Sequence, residues 1–345
     1  MKLVHFESGL GNQMLNYAEY LAIKESNPDD DIYMENIIYE FPEVNKVICQ
    51  WNGYELKRIF SLDIPNIRSR FHDEKWYKIV DEVRNSEFWI HNWNYPNAIL
   101  PALEKSGLKF INRCTPRFTN ERSGVKKILF SLKNANPIAG NIKLAIKRHN
   151  NDRYLYEKRK PENLFIQSTE NLYCGQTGLF MFAGNEIERI ESKLKTDFVF
   201  PVIKDKRNKE IMERILSTNS VSIHARRGDA LSSSGYYYKS GYFKRSVRYI
   251  KEKIDRPVFF FFSDPGSIDW CKNNLHLFGL VKSDRMYFVD WNKGDDSYVD
   301  MQLMSMCKHN IITYSSFGWW ASFLNNNSEK ITCSPYYCMN TTHHF

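Results

Sequence analysis

The chain has 345 residues, 42% of them hydrophobic and 26% charged, and a net charge of +8. That length accommodates two domains with separate cores, and the composition is that of an ordinary soluble globular protein rather than a disordered or fibrous one. No apolar run approaches the roughly 18 residues needed to span a bilayer, and Met1 to Phe6 is too short, then too polar, for a signal peptide.

In chain order, Lys2 to Phe6 reads as a first strand. Glu7-Ser8-Gly9-Leu10-Gly11-Asn12-Gln13 follows, then a helix with apolar residues at Met14, Leu15, Tyr17, Ala18, Leu21 and Ala22, stopped at Asn27-Pro28. A strand, a glycine turn and a helix start let backbone N–H groups approach a polar ligand. A dinucleotide motif would need a third glycine where Met14 stands. The side chains of Asn12 and Gln13 suit hydroxyl recognition better; alternatively, Gly9 and Gly11 serve only the turn. Asp29-Asp30-Asp31 formally contains the Asp-x-Asp of some metal-dependent glycosyl-transferring enzymes, but after a helix stop it reads as a solvated loop.

Short strands are expected at Glu87 to Trp93 and Leu108 to Asn112. Between Arg122 and Lys160 eleven Lys and Arg stand against Asp152 and Glu157, a local charge of +9 (11 minus 2). Such a segment either attracts polyanions or an anionic membrane face, or is a solvated helical face. Its basic and aromatic residues are not interleaved as in a nucleic-acid-binding module. A strand at Gly178 to Ala183 and a helix at Asn185 to Lys195 close this half, and Thr196 to Lys209 is the expected hinge, giving domains 1–200 and 201–345.

From Val221 the alternation is regular. Strands at Val221–His224, Val258–Phe262, Met286–Val289, Asn310–Tyr314 and Lys330–Cys333 alternate with helices near 242–253, 266–277, 297–309 and 317–326. Strands as apolar as Val258 to Phe262 are buried on both faces, and alternation with helices implies a parallel, doubly wound sheet. Ligands of such sheets sit beyond the carboxyl ends of the strands. The first strand ends in His224, Arg226 and Arg227, the second in Ser263-Asp264, the third in Asp290-Trp291 and the fourth in Tyr314-Ser315-Ser316 at a helix start. Arginine forks and a helix start suit phosphates, and a carboxylate suits a base or ribose donor. Ser315 or Ser316 could equally cap that helix, and Asp264 the helix after Pro265.

The chain has seven cysteines, an odd number with no Cys-x-x-Cys spacing, as expected of reduced thiols in a cytosolic setting. Cys333 and Cys338 read as small core residues rather than half of a metal site.

Three stretches share a pattern: Gly9-Leu10-Gly11-Asn12-Gln13-Met14, His224-Ala225-Arg226-Arg227-Gly228-Asp229, and Asp300-Met301 through Cys307-Lys308-His309-Asn310 to Ser315-Ser316-Phe317-Gly318-Trp319-Trp320. With Phe261-Phe262-Ser263-Asp264 they make a sequence that resembles the α-1,2-fucosyltransferases of bacteria and animals, within the α-1,2/α-1,6/O-fucosyltransferase superfamily. The resemblance implies a GT-B-like α/β fold of two facing Rossmann-like domains. It also implies transfer of L-fucose from GDP-L-fucose, held by the C-terminal domain, to the 2-hydroxyl of a terminal β-galactoside, with inversion and without a metal or other cofactor.

By motif position Arg226 would hold the β-phosphate, His224 and Asp264 the guanosine part, and Ser315, Ser316 and Phe317 the phosphates. The loop carrying Gly9, Gly11, Asn12 and Gln13 would face the acceptor cleft. Arg226, with Arg227 and the Ser315/Ser316 turn, is expected to neutralise the leaving diphosphate. Asp229 is the candidate base, although pairing with Arg227 would suit it to a structural role.

The sequence departs from that pattern at Ser8, where many members have glycine, at Ala230, where an aromatic is usual, and at Gly318, which replaces a serine. Gly178 to Phe182 stands where an aromatic-rich segment is expected. The expected location is cytoplasmic, with the 122–160 segment at the inner membrane surface near a lipid-linked acceptor. Two other readings are a transferase of the same fold using another nucleotide sugar, and a basic protein that binds polyanions or membrane surfaces.

Overall fold

The computed structural model describes residues 1–46, 52–91, 95–114, 138, 141–142, 145–146, 167–175, 181, 187–228 and 236–345. The chain divides into two compact units, Met1–Glu121 with Lys158–Val199, and Arg122–Glu157 with Phe200–Phe345.

Among the described residues the first unit has four parallel strands, β1 (Lys2–His5), β2 (Ile32–Glu35), β3 (Ile111–Asn112) and β4 (Leu172–Cys174), in the order β2-β1-β4-β3. A helix over Leu10–Ser26 returns the chain from β1 to β2, burying Met14, Leu15, Ala18 and Ala22. It ends where Asn27 turns its side-chain and backbone N–H groups onto Ile23 O, one residue before Pro28.

Lys2 is buried in this sheet, and its ammonium is spent on Asp30 and on the carbonyls of Ser168 (2.6 Å) and Glu170 (2.9 Å). Asp30 is therefore an ion partner, whereas the aspartate run read as solvated loop; Asp29 and Asp31 do face water.

The stretch Glu87 to Trp93 was expected to be a strand, and the structure coils Phe88–His91 into a helix instead. Glu87, at φ 45, turns the chain out of the helix Asp73–Asn85. Phe88 and Trp89 then bury their rings, Phe88 on Tyr95 at 5.0 Å and Trp89 on Phe41 at 5.6 Å. An aromatic run prefers any half-buried surface, and here a helical core supplied one. Of Leu108 to Asn112 only Ile111–Asn112 pairs. The strand expected at 178–183 falls largely outside the described residues; Leu172–Cys174 is the strand beside β1, and it was not foreseen. The helix expected at 185–195 is observed at Glu188–Asp197.

Among its described residues the second unit carries six parallel strands, β5 (Ser220–Ala225), β6 (Val258–Ser263), β7 (Met286–Val289), β8 (His309–Ile311), β9 (Thr332–Ser334) and β10 (His343–His344), ordered β10-β9-β8-β5-β6-β7. From β5 the chain winds through β6 to the edge at β7, returns to β8 on the other side of β5, and continues to β9 and β10. The winding direction therefore reverses between β5 and β8. In a doubly wound sheet that reversal opens a crevice at the carboxyl ends of the two strands.

Helices Tyr242–Lys253, Tyr298–Met306 and Ser316–Phe323 lie close to their expected spans, and the one expected near 266–277 breaks into Ile268–Asn273 and Leu275–Phe278. The end of the expected hinge instead begins the helix Lys206–Leu216, capped by Asp205, whose carboxylate accepts from Asn208 N at 2.9 Å. The described cysteines are all free and buried, Cys333 and Cys338 among them.

Candidate functional site

In the second unit the residues singled out from the sequence gather at the carboxyl ends of β5, β6 and β8. His224 is the penultimate residue of β5, 5% exposed, with its ring beside Phe317 (centroids 5.8 Å apart). The helix Ser316–Phe323 comes so close that a Cβ on Gly318 would lie 2.5 Å from His224 Nδ1. Glycine at 318 is thus a packing requirement of this histidine position.

Burial pushes the His224 imidazole down to about 4; the Arg226 charge adds to this and Asp264 opposes it. The ring is neutral at neutral pH and offers one donor and one acceptor, which suits a hydroxyl or a base edge. Its Nδ1 is buried without a hydrogen-bond partner, as is Thr313 Oγ1 just beyond β8. Two orphaned polar atoms at the ends of the strands flanking the reversal are what a polar ligand would satisfy.

The loop after β5 is organised by Asp264 at the end of β6. Its Oδ2 accepts from the backbone N–H groups of Arg227 and Gly228 (2.7 Å for Gly228), and its Oδ1 lies 3.3 Å from Arg226 Nη1. Burial alone would raise this carboxyl, but the Arg226 charge and the two amides outweigh it and hold the group ionised. Asp264 therefore sets the loop and the Arg226 fork directly, a role in addition to the ligand contact that motif position suggested.

Arg227 is held otherwise. Its guanidinium stacks on Trp270, 3.2 Å from the ring centroid, with Tyr238 at 5.2 Å. Sequence reading missed both aromatics. A Trp soon after Ser263-Asp264 was visible, but nothing local linked it to an arginine 43 positions earlier. Asp229 lies outside the described residues.

Ser315 occupies the N-cap of the helix Ser316–Phe323 with extended backbone, yet its hydroxyl makes no capping hydrogen bond, and the first turn holds no acidic residue. The Ser315 hydroxyl thus does not cap this helix, and a first turn without an acidic residue is the electrostatic setting that favours an anion. Phe317 is half-buried in the same turn.

In the first unit, the loop between β1 and its helix is arranged differently from the expectation for Gln13. That side chain is fully buried. Its amide donates to Ser8 O (2.9 Å) and Gly53 O (2.8 Å), and its oxygen accepts from Glu55 N (2.8 Å). Gln13 pins two loops together and has no amide hydrogen left for an acceptor sugar. Gly9 is the extended N-cap and Gly11 is buried, whereas Asn12 is half-buried at the helix start. The left-handed residue of this turn is Ser8, at φ 69, the position where a glycine would be free of strain.

Behind this loop lies a buried polar cluster that the sequence reading did not single out. His5, at the end of β1, places Nδ1 2.7 Å from Glu35 Oε1 and Nε2 3.3 Å from Glu7 Oε2. Glu35 also accepts from Tyr95 (2.7 Å), Tyr173 (2.5 Å) and Ile37 N (3.0 Å). Burial disfavours charge on the His5 ring, but the two carboxylates outweigh it and push the imidazole up to about 9. The available signal was an ionisable residue ending each of two apolar strands.

Among known proteins, the model of glycosyl transferase family 11 matches residues 180–342. An alpha-1,2-colitosyltransferase of Escherichia coli is 30% identical over 334 residues, 95% of this chain and 88% of that protein. The O-antigen biosynthesis glycosyltransferase WbnK of Escherichia coli is 32% identical over 124 residues, 34% of this chain and 39% of WbnK. The solved NodZ alpha-1,6-fucosyltransferase overlays 94% of this chain and 91% of its own at a TM-score of 0.46 and 12% identity. With a relative of this identity aligned along nearly its whole length, this chain is a member of glycosyl transferase family 11.

Proposed function

We propose that the chain transfers L-fucose, or a near relative of it, from a GDP-linked donor to the 2-hydroxyl of a terminal β-galactoside in a cell-surface glycan. The reaction inverts the anomeric centre and uses no metal. The observation that carries this reading is the strand reversal in the second unit. There an aspartate-fixed arginine, a neutral histidine with an orphaned nitrogen and a helix start that Ser315 does not cap lie at adjacent strand ends.

In this role Arg226 and the N–H groups before Phe317 take up the charge of the departing diphosphate, and His224 reads the nucleoside by hydrogen bonding. Arg227, braced on Trp270, supports the same charge. Removing such a preorganised charge partner costs about 10²–10³-fold in rate. Calorimetric titration with GDP and UDP in the presence of chelator, on wild type and Arg226→Ala, tests this. GDP binding that survives chelator and is lost in the variant is expected; binding indifferent to Arg226 overturns it. Colitose is the second reading for the sugar, because the relative aligned over 95% of the chain is a colitosyltransferase, and competition between the two GDP-sugars decides.

We also propose peripheral contact with anionic lipid through residues 122–160. Ile138, Ile142 and Ile146 are 72%, 55% and 54% exposed at helical spacing within that basic stretch. Among the described residues no helix is long and apolar enough to cross a membrane. Flotation with phosphatidylserine vesicles checks the contact, and failure to float overturns it.

A further inference from the structure

We propose that Tyr314, braced by Tyr336, is the platform on which the donor's sugar rests, and that it selects a 6-deoxy sugar by its methyl group. The inference rests on the transferase reading above and supplies the contact for the sugar itself, within the second unit.

The position comes from the order of the strand ends. Across the carboxyl edge of this sheet Asp264 follows β6, His224 and Arg226 lie at the end of β5, Tyr314 follows β8 and Tyr336 follows β9. A nucleoside diphosphate sugar is a row of nucleoside, two phosphates and sugar. With the nucleoside at His224 and the phosphates between Arg226 and the start of the helix Ser316–Phe323, the sugar falls on the far side of the phosphates. There it lies over the ends of β8 and β9.

That side holds a fixed aromatic ring. Ile312 N donates to Cys333 O at 2.9 Å, so pairing with β9 continues past Ile311. The buried Tyr242 hydroxyl lies against the carbonyl oxygens of Ile312 and Cys333, 2.9 Å from the latter, and ties the two strand ends together. Ile311, Ile312 and Thr313 are buried, and the chain surfaces at Tyr314, 40% exposed. Its ring is packed on one side by Tyr336, with centroids 5.0 Å apart at 41°. Tyr336 is itself buried, and its carbonyl accepts from the Ser334 hydroxyl at 2.5 Å. A braced ring meets a ligand at little cost in rotamer freedom.

Chemistry selects the occupant. The face of a phenol ring carries partial negative charge and favours C–H groups, whose hydrogens are partly positive. A 6-deoxy sugar of galacto configuration offers its C5 hydrogen and C6 methyl together as one apolar patch. Fucose and colitose share that methyl and differ in the hydroxyl at C3, so the ring accepts both. A hydroxyl on C6 would be pressed against the ring and give up water, which opposes binding. Tyr314 is thus a residue for sugar selection, apart from the groups that hold the leaving diphosphate.

The test is calorimetric titration of wild type, Tyr314→Ala and Tyr314→Phe with GDP, GDP-L-fucose and GDP-L-galactose. The last differs from GDP-L-fucose by one hydroxyl, at C6. Wild type should bind GDP-L-fucose more tightly than GDP-L-galactose by about 3–10-fold. Tyr314→Ala should lose that preference while its affinity for GDP changes by less than about twofold, and Tyr314→Phe should keep the preference. A wild type that binds the two GDP-sugars equally overturns the proposal, whether or not the alanine variant folds. So does an alanine variant that weakens GDP as much as GDP-L-fucose, which would put the nucleoside on the ring. A phenylalanine variant that behaves like alanine assigns the contact to the hydroxyl and overturns it too. A wild type that binds no GDP overturns the transferase reading itself. GDP binding with the sugar preference intact in Tyr314→Ala overturns only this inference.

Discussion

Replacing Gly318 by alanine should disable the second unit through one contact. The added methyl would sit 2.5 Å from His224 Nδ1, 3.3 Å from its Cγ and 3.4 Å from its Cε1. Ordinary contact begins near 3.4 Å, so the ring must retreat by about 1 Å. It is 5% exposed and packed beside Phe317, and its backbone belongs to the central strand. Turning the ring off its rotamer costs about 0.5–1.5 kcal/mol, and overpacking a filled core about 1–3 kcal/mol in total. For a unit of this size that is a fall of several degrees in unfolding temperature.

Against it stands a helix-propensity gain for alanine over glycine of up to about 1 kcal/mol. The sign therefore depends on His224, and a double-mutant cycle isolates it. Gly318→Ala should destabilise the wild type and weaken GDP binding, yet be neutral or stabilising in a His224→Ala background. Thermal unfolding with GDP titration of all four proteins measures this. A Gly318→Ala effect that is the same with and without the imidazole would refute the close-approach argument.

Two further outcomes follow from the first unit. Ser8→Gly relieves the left-handed serine at φ 69. The strain of about 1–2 kcal/mol is partly offset by the entropy glycine loses on folding, so a net gain of about 0.5–1 kcal/mol is expected in chemical denaturation; a loss would mean that the hydroxyl itself is needed. The His5 imidazole, raised from 6.5 to about 9, binds more protons folded than unfolded between those values. Its stabilisation is complete below pH 6.5 and is lost as pH rises to about 9, by roughly 3 kcal/mol. Unfolding of the first unit from pH 6 to 9, in wild type and His5→Gln, should show a falling stability that the variant lacks. In the second unit, His224 loses stabilisation as pH falls from 6.5 toward about 4. Asp300, which burial pushes up to about 7 against an Asn292 hydrogen bond, loses it as pH rises over nearly the same range, so the two slopes offset.

Much of this was legible in the amino-acid sequence because it depends on neighbours along the chain. The period-two and period-3.6 patterns placed the parallel strands and helices of the second unit, and the residues ending each strand named His224, Arg226, Asp264 and Ser315. Where a segment had no amphipathic period, as at Glu87 to Trp93, β-propensity misled, since the surface that buries Phe88 and Trp89 is made by Phe41 and Tyr95. Gln13 had the right chemistry for a sugar hydroxyl, but whether an amide faces a ligand or three backbone groups depends on where Gly53 and Glu55 fold.

The sequence by itself determined the family, the doubly wound second unit and the order of strand ends, because motif order and hydrophobic period are properties of a line of residues. Only the tertiary structure decided how those ends are used. It placed Trp270 under Arg227, tied Asp264 to the loop amides, pressed Gly318 onto His224 and joined His5, Glu7 and Glu35. Those contacts span up to 94 positions of sequence, and burial, which sets their charge states, exists only once the sheets have formed around them.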